Sequence, residues 1–418
     1  MVKTLQNKGL QVFVLIMGIL ITSCKQDVKQ EVFTEDVEPT GYYIEPYRSQ
    51  YHFTPEEKWM NDPNGLVYND GVYHLFYQYY PDSTVWGPMH WGHAVSKDMM
   101  KWKHKPVALF PDEHGFIFSG SAVMDHNNTS GFGTEDQTAM VAIFTYHDMA
   151  GEQAGKKNFQ TQGIAYSLDN GDSWTKYEGN PVIGNTGIKD FRDPKVFWND
   201  KAETWTMLLV AGDHLQIWNS PNLKEWEKVS EFGKEQGAHG GVWECPDLFP
   251  LKIEGTDEVK WVLLISINPG APNGGSGTQY FIGDFDGETF TSDQVEHKWI
   301  DLGRDNYAGV TYNDAPNDER VFIGWMSNWD YARDTPTDKW RSAMTVPREL
   351  TLRKVNDDVL LYNYPLKSFE RHVAMAYPES VLEILPTRKR IMPLKYGNQS
   401  KIQFTLSVPN AQMYFRNK

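Results

Sequence analysis

The feature that most constrains this chain is a recurring unit: a strand, a tight turn and a second apolar strand, with no long helical period between copies. Leu66-Val67-Tyr68 and Val72-Tyr73-His74-Leu75-Phe76-Tyr77 flank Asn69-Asp70-Gly71, a composition that favours the positive φ angles of a two-residue hairpin. The pattern returns as Val196-Phe197-Trp198, the turn Asn199-Asp200, and Trp205-Thr206-Met207-Leu208-Leu209-Val210. Further strands are read at 261–266 and 321–325. The outer ends of the units echo one another too, as Ser96-Lys97-Asp98 running to Trp102, Ser167-Leu168-Asp169 running to Trp174, and Ser220-Pro221-Asn222 running to Trp226. Five units start at Asp62-Pro63, Phe118-Ser119-Gly120-Ser121, Asp193-Pro194, Glu244-Cys245-Pro246 and Tyr307-Ala308-Gly309, 51 to 74 residues apart. A small sheet cannot bury both of its faces alone, so repeated sheets stack around an axis. The sequence therefore predicts an all-β chain with a five-bladed β-propeller over residues 48–350. The innermost strand of each blade lines the axis, so residues at the unit starts converge at one end of it.

Three acids occupy those starts: Asp62 in Trp59-Met60-Asn61-Asp62-Pro63-Asn64-Gly65, Asp193 in Phe191-Arg192-Asp193-Pro194, and Glu244 in Trp243-Glu244-Cys245-Pro246-Asp247. A single Asp-Pro step is ordinarily a turn, and a residue directly before Pro is expected to be extended. Three acids at equivalent places in one chain point instead to a shared pocket. Splitting a glycosidic bond requires two carboxyl groups in opposite protonation states, one to attack and one to protonate the leaving oxygen. Arg192 is placed to keep a neighbouring carboxylate ionised, and a Glu crowded by two aspartates is expected to titrate high, as a general acid must.

Composition narrows the partners. The net charge of −15 argues against nucleic acid, whose phosphates require a basic surface. Aromatics form 14% of the chain, with 15 Trp and 21 Tyr, which suits packing against the apolar faces of sugar rings but equally suits sheet cores. His90 and His93 have no carboxylate or Cys spacing to complete a metal site, so no metal is expected. The loop Asn273-Gly274-Gly275-Ser276-Gly277 lacks phosphate-loop spacing, and no cofactor is implied.

The Trp59–Gly65 stretch, Arg192-Asp193-Pro194 and Glu244-Cys245-Pro246 together resemble glycoside hydrolase family 32, the invertases, inulinases and levanases. The resemblance extends through Tyr73-His74-Leu75-Phe76-Tyr77-Gln78-Tyr79, Trp86-Gly87-Pro88-Met89-His90-Trp91-Gly92-His93-Ala94, Phe118-Ser119-Gly120-Ser121-Ala122 and Gly324-Trp325-Met326-Ser327-Asn328-Trp329. It implies a retaining double displacement with Asp62 as nucleophile, Glu244 as acid/base and Asp193 as transition-state stabiliser. It implies too that Asn61, Gln78, Trp86, Phe118, Ser119, Arg192 and Trp325 line a fructose pocket. Cys245 abuts Glu244 and is expected to tune that acid's surroundings and not to react itself. The stretch from His74 to Phe118 looks more like bacterial levanases and exo-fructanases than sucrose-phosphate hydrolases. The expected partner is a fructan or sucrose-type carbohydrate; a fructosyltransferase and a non-catalytic fructan-binding lipoprotein are the alternatives.

The ends carry separate signals. Lys3 and Lys8 precede an apolar run from Val12 to Ile21, about 15 Å as a helix and too short for a bilayer core of about 30 Å. This reads as a signal peptide, and Ile21-Thr22-Ser23-Cys24 resembles a bacterial lipobox with Cys24 as the lipidated residue. Residues 1–24 are thus expected to be a lipoprotein signal, and 25–47 a polar tether. The membrane is met through the lipid anchor only, in the cell envelope outside the cytoplasm. Residues 351–418 are expected to be a linker and the incomplete start of a C-terminal β-sandwich.

Overall fold

A computed structural model describes residues 44–372. The expected signal peptide, Cys24, most of the tether and the stretch beyond 372 lie outside the described residues. Within them the chain forms five sheets, antiparallel apart from one parallel pair. The first blade holds β1 (Lys58–Asn69), β2 (Val72–Tyr80), β3 (His90–Ser96) and β4 (Lys103–Leu109). The second holds β5 (Phe116–Met124), β6 (Met140–His147), β7 (Gln160–Ser167) and β8 (Thr175–Lys176), with one short helix, α1 (Met149–Gln153), between β6 and β7. The third holds β9 (Phe191–Asn199), β10 (Thr204–Ala211), β11 (Leu215–Ser220) and β12 (Glu227–Phe232). The fourth holds β13 (Val242–Lys252), β14 (Val259–Asn268), β15 (Gly277–Phe285), β16 (Phe290–Thr291) and β17 (Lys298–Trp299). The fifth holds β18 (Tyr307–Thr311), β19 (Val321–Trp325), β21 (Arg348–Val355) and β22 (Asp358–Pro365). Between its members, β20 (Trp340–Arg341) leaves the fifth blade and pairs in parallel with Lys58-Trp59 of β1, tying the last blade to the first.

The five-bladed prediction holds, but its boundary does not. Residues 351–365 are not a linker: β21 and β22 pair from Arg348–Pro365 to Val355–Asp358 as the outer hairpin of the fifth blade. Of the two edges that an isolated hairpin would expose, that of β21 is covered by pairing with β19, and β22 is the outer edge of the blade. At the other end the folded part starts before residue 48, since Glu45 Oε1 lies 2.6 Å from Arg48 Nη2. The guanidinium of Arg48 in turn packs 4.4 Å over the Trp340 ring.

The core explains the sequence pattern. Strands with both faces buried alternate their side chains between two neighbours. Met207 and Leu209 of β10 enter the core shared with the second blade, whereas Leu208 and Val210 enter the core shared with the fourth. On β6, Val141 and Ile143 face the third blade while Met140, Ala142 and Phe144 face the first. Five such clusters, one per blade–blade interface, make up the interior. The predicted hairpin is present: Asn69 pairs with Val72, and Asp70 and Gly71 take φ of 47° and 81°, the two positive values a type I′ turn requires.

Candidate active site

All five innermost strands carry the same defect at the same level. Between Met60 and Pro63, Ile117 and Gly120, Arg192 and Lys195, Glu244 and Asp247, and Tyr307 and Val310, three steps along the inner strand face two along its partner. Each is a β-bulge, which bends the strand and re-aims side chains. The unit starts read from the sequence are these bulges. Pro194 and Pro246 sit inside them, where a missing N–H costs no ladder bond. Gly120 is required in the second blade because a Cβ there would lie 2.0 Å from the Ile143 carbonyl oxygen. One expectation fails: Asp193, directly before Pro194, is not extended but has φ 65°, and Cys245 before Pro246 has φ 46°. The bulge turns both residues into the left-handed region, which Asp tolerates better than most side chains.

The bulges bring residues from the first four blades to one cavity of about 510 Å³. It is lined by Asn61, Asp62, Gln78, Trp86, Phe118, Ser119, Arg192, Asp193 and Glu244, so nine of the ten pocket residues expected from the sequence meet there. Trp325 does not. It is fully buried and packs in the core, 4.9 Å centroid to centroid from Trp329. Trp329, four residues on, is the tryptophan that reaches the cavity. The two lie in one motif, and the alternation of β19 puts the first indole inward, which sequence spacing alone did not separate. A separate small void of about 10 Å³ is lined by Ser119, Asp193, Lys195 and Cys245 among others.

Hydrogen bonds fix each acid. Asp62 accepts from Asn61 Nδ2 at 2.9 Å, from Ser119 Oγ at 2.7 Å and from the Cys245 thiol at 3.6 Å. Trp59 Nε1 holds Asn61 Oδ1 at 2.8 Å. Asp193 Oδ2 accepts from the Cys245 backbone N–H at 3.1 Å and lies 3.7 Å from its sulfur. Glu244 Oε1 accepts from Arg192 Nη2 at 2.8 Å and Nε at 3.2 Å, while Arg192 Nη1 donates to Asp190 at 2.7 Å. Arg192 therefore grips Glu244 and Asp190, and stands 3.8 Å from Asp193. Elsewhere around the cavity Gln78 donates to the Ile117 carbonyl at 3.0 Å, and Phe118 stacks on His147 at 4.1 Å.

Burial pushes all three carboxyl groups above the ordinary range, by disfavouring the charged form. On Asp62 the donors Asn61, Ser119 and Cys245 work against burial. On Glu244 the Arg192 guanidinium opposes burial, but Asp193 and Asp62 add to it, and the net displacement is upward. Arg192 thus limits the rise of the general-acid candidate, a role the sequence had left unassigned between the acids. Burial also raises the Cys245 thiol well above its usual value, with the three carboxylates reinforcing it. It stays a neutral donor between Asp62 and Asp193. One acid held neutral beside one supplied with hydrogen-bond donors is the combination that glycosyl transfer to a carboxylate needs.

The cavity also contains residues that the sequence did not flag: His147, Gln160, Asn268, Trp329 and, on the loop after β19, Tyr331, Arg333 and Asp334. Asp190, two residues before Arg192, could have been found from the charge pattern; the others come from loops and second strands whose depth only the fold determines.

The comparisons agree with the geometry. Residues 52–365 match the family model described as glycosyl hydrolases family 32 N-terminal domain. The levanase of Bacillus subtilis is 51% identical over 90% of this chain and 55% of its own length. An extracellular exo-inulinase of Aspergillus niger is 47% identical over 78% of this chain and 66% of its own. The chain thus spans between half and two thirds of those relatives. Among solved structures, the exo-inulinase of Aspergillus awamori superposes with a TM-score of 0.72 at 45% identity, covering 77% of this chain and 68% of that one. The fructofuranosidase of Schwanniomyces occidentalis complexed with fructose gives 0.71 at 43% identity, covering 76% and 63%. On these grounds, and with its acids gathered on one propeller axis, this chain belongs to glycoside hydrolase family 32.

Proposed function

We propose that the chain hydrolyses β-fructofuranosyl bonds and releases fructose through a covalent intermediate. The Asp62 carboxylate attacks the anomeric carbon as the bond to the leaving oxygen breaks, and Glu244 gives that oxygen its proton. Water then attacks the same carbon, Glu244 takes a proton from it, and Asp62 leaves as a carboxylate. Asp193 faces the developing positive charge on the ring. The observation that carries this reading is the meeting of Asp62, Asp193 and Glu244 in one cavity, with Glu244 raised and Asp62 supplied with donors. Relatives named levanase, exo-inulinase and invertase support levan, inulin and sucrose as substrates.

The lipobox supports attachment through Cys24 in a bacterial envelope, outside the cytoplasm; loss of acyl labelling in Cys24→Ala tests that part. The activity is tested by free fructose released from levan, inulin and sucrose, with Asp62→Ala as control. No fructose from any of them would remove the hydrolase reading. Longer oligosaccharides in its place would show a transferase.

A further inference from the structure

The face of the second blade that meets the third changes character along its length. Near its middle it is apolar: Val141 and Ile143 of β6 and Ile164 of β7 lie in the shared core. At the end nearest the acids the same face carries two adjacent cross-strand pairs, Thr145 opposite Gln162 and His147 opposite Gln160. All four side chains are buried. Polar groups inside such an interface cost free energy unless every one is bonded.

Their bonds converge on the stretch of β9 that carries Arg192 and Asp193. Gln160 Oε1 accepts the Phe191 N–H at 2.7 Å, and Gln162 Nε2 donates to the Phe191 carbonyl at 2.9 Å. Gln162 Oε1 accepts from the Thr145 hydroxyl at 2.6 Å, and that hydroxyl oxygen accepts the Asp193 N–H at 3.0 Å. Side chains of one blade thus bond the backbone of the next on both sides of Arg192, at the bulge where Asp193 takes φ 65°.

We infer that Thr145 and Gln162 are positioning residues, a buried bracket that holds the left-handed bulge of β9 so that Asp193 and Arg192 face the sugar. Neither lines the cavity, so neither touches substrate; they act through the backbone of residues 191–193. This rests on the hydrolase reading above. An inactive wild-type chain would sink that reading, whereas an active wild type with unaffected variants would sink this inference alone.

The test is steady-state kinetics on sucrose for Thr145→Val, Gln162→Met and Thr145→Ser, with a melting curve for each. Thr145→Val keeps shape but removes the hydroxyl; Thr145→Ser keeps the hydroxyl. Misplacement near 1 Å at a reacting centre costs about a hundredfold in rate. The expected result is a kcat about ten- to a hundredfold lower for Thr145→Val and Gln162→Met, with KM within about threefold, and a kcat restored by Thr145→Ser to within about threefold of wild type. A folded Thr145→Val with wild-type kcat would overturn the inference, as would Thr145→Ser losing as much kcat as Thr145→Val. If Thr145→Val does not fold, Gln162→Met and Thr145→Ser decide by the same criteria.

Discussion

The Ser119–Asp62 contact gives a prediction whose size follows from the structure. Ser119 Oγ donates to Asp62 Oδ2 at 2.7 Å, and this bond favours the ionised carboxylate against the burial that raises it. A hydrogen bond to a charged group is worth about 1.5–3 kcal/mol, and one pH unit corresponds to about 1.4 kcal/mol. Ser119→Ala should therefore raise the acid limb of kcat/KM by about one to two pH units. The direction is fixed: the reaction needs Asp62 ionised, and a lost donor makes it hold its proton to higher pH. The limb belongs to the coupled group of acids and not to one residue alone, and kcat/KM is the parameter to follow because it reports the free enzyme. The assay is initial-rate sucrose hydrolysis from acid to mildly alkaline pH for both proteins. An acid limb that stays put or moves to lower pH in a folded Ser119→Ala would refute the reasoning.

Four further outcomes follow. Glu244→Gln should lose about 10²–10⁴ in kcat on sucrose and lose the alkaline limb, which in the wild type lies above the ordinary glutamate range; an unchanged alkaline limb would assign the acid elsewhere. Trp329→Ala should raise KM on sucrose, whereas Trp325→Ala should leave KM unchanged and destabilise by about 3–5 kcal/mol in urea titration, since of the two only Trp329 lines the cavity and Trp325 is fully buried. Lys195→Met should cost about 3–5 kcal/mol, because Asp247, 3.4 Å from Lys195 Nζ and 1% exposed, would lose that ion-pair partner inside the fold; stability equal to wild type would contradict this. Leu209→Ala, at the interface of the second and third blades, should cost about 2–5 kcal/mol with kcat and KM retained.

The blade count was legible because each unit repeats a strand–turn–strand pattern, and the repeat follows from two buried faces per sheet. The acids were legible for a related reason. Asp62, Asp193 and Glu244 stand at the five-fold bulge level, and the Pro or Gly that marks each bulge is visible in the sequence. The fifth blade's end was not legible, because nothing in Leu350-Thr351-Leu352 says which edge it pairs with; β19 supplies that edge from residues far upstream. Trp325 and Trp329 could not be told apart, since both are aromatic and only the pleat of β19 and the turn after it decide depth. His147 and Gln160 were invisible because their place depends on how two blades meet.

Mass spectrometry of the enzyme quenched in acid during turnover with an activated fructosyl donor reads the covalent intermediate directly. One fructosyl unit is expected on the peptide carrying Asp62, lost on incubation in water and never formed in Asp62→Ala. A fructosyl unit on another acid, or release of product with inverted anomeric configuration and no labelled enzyme, would contradict it.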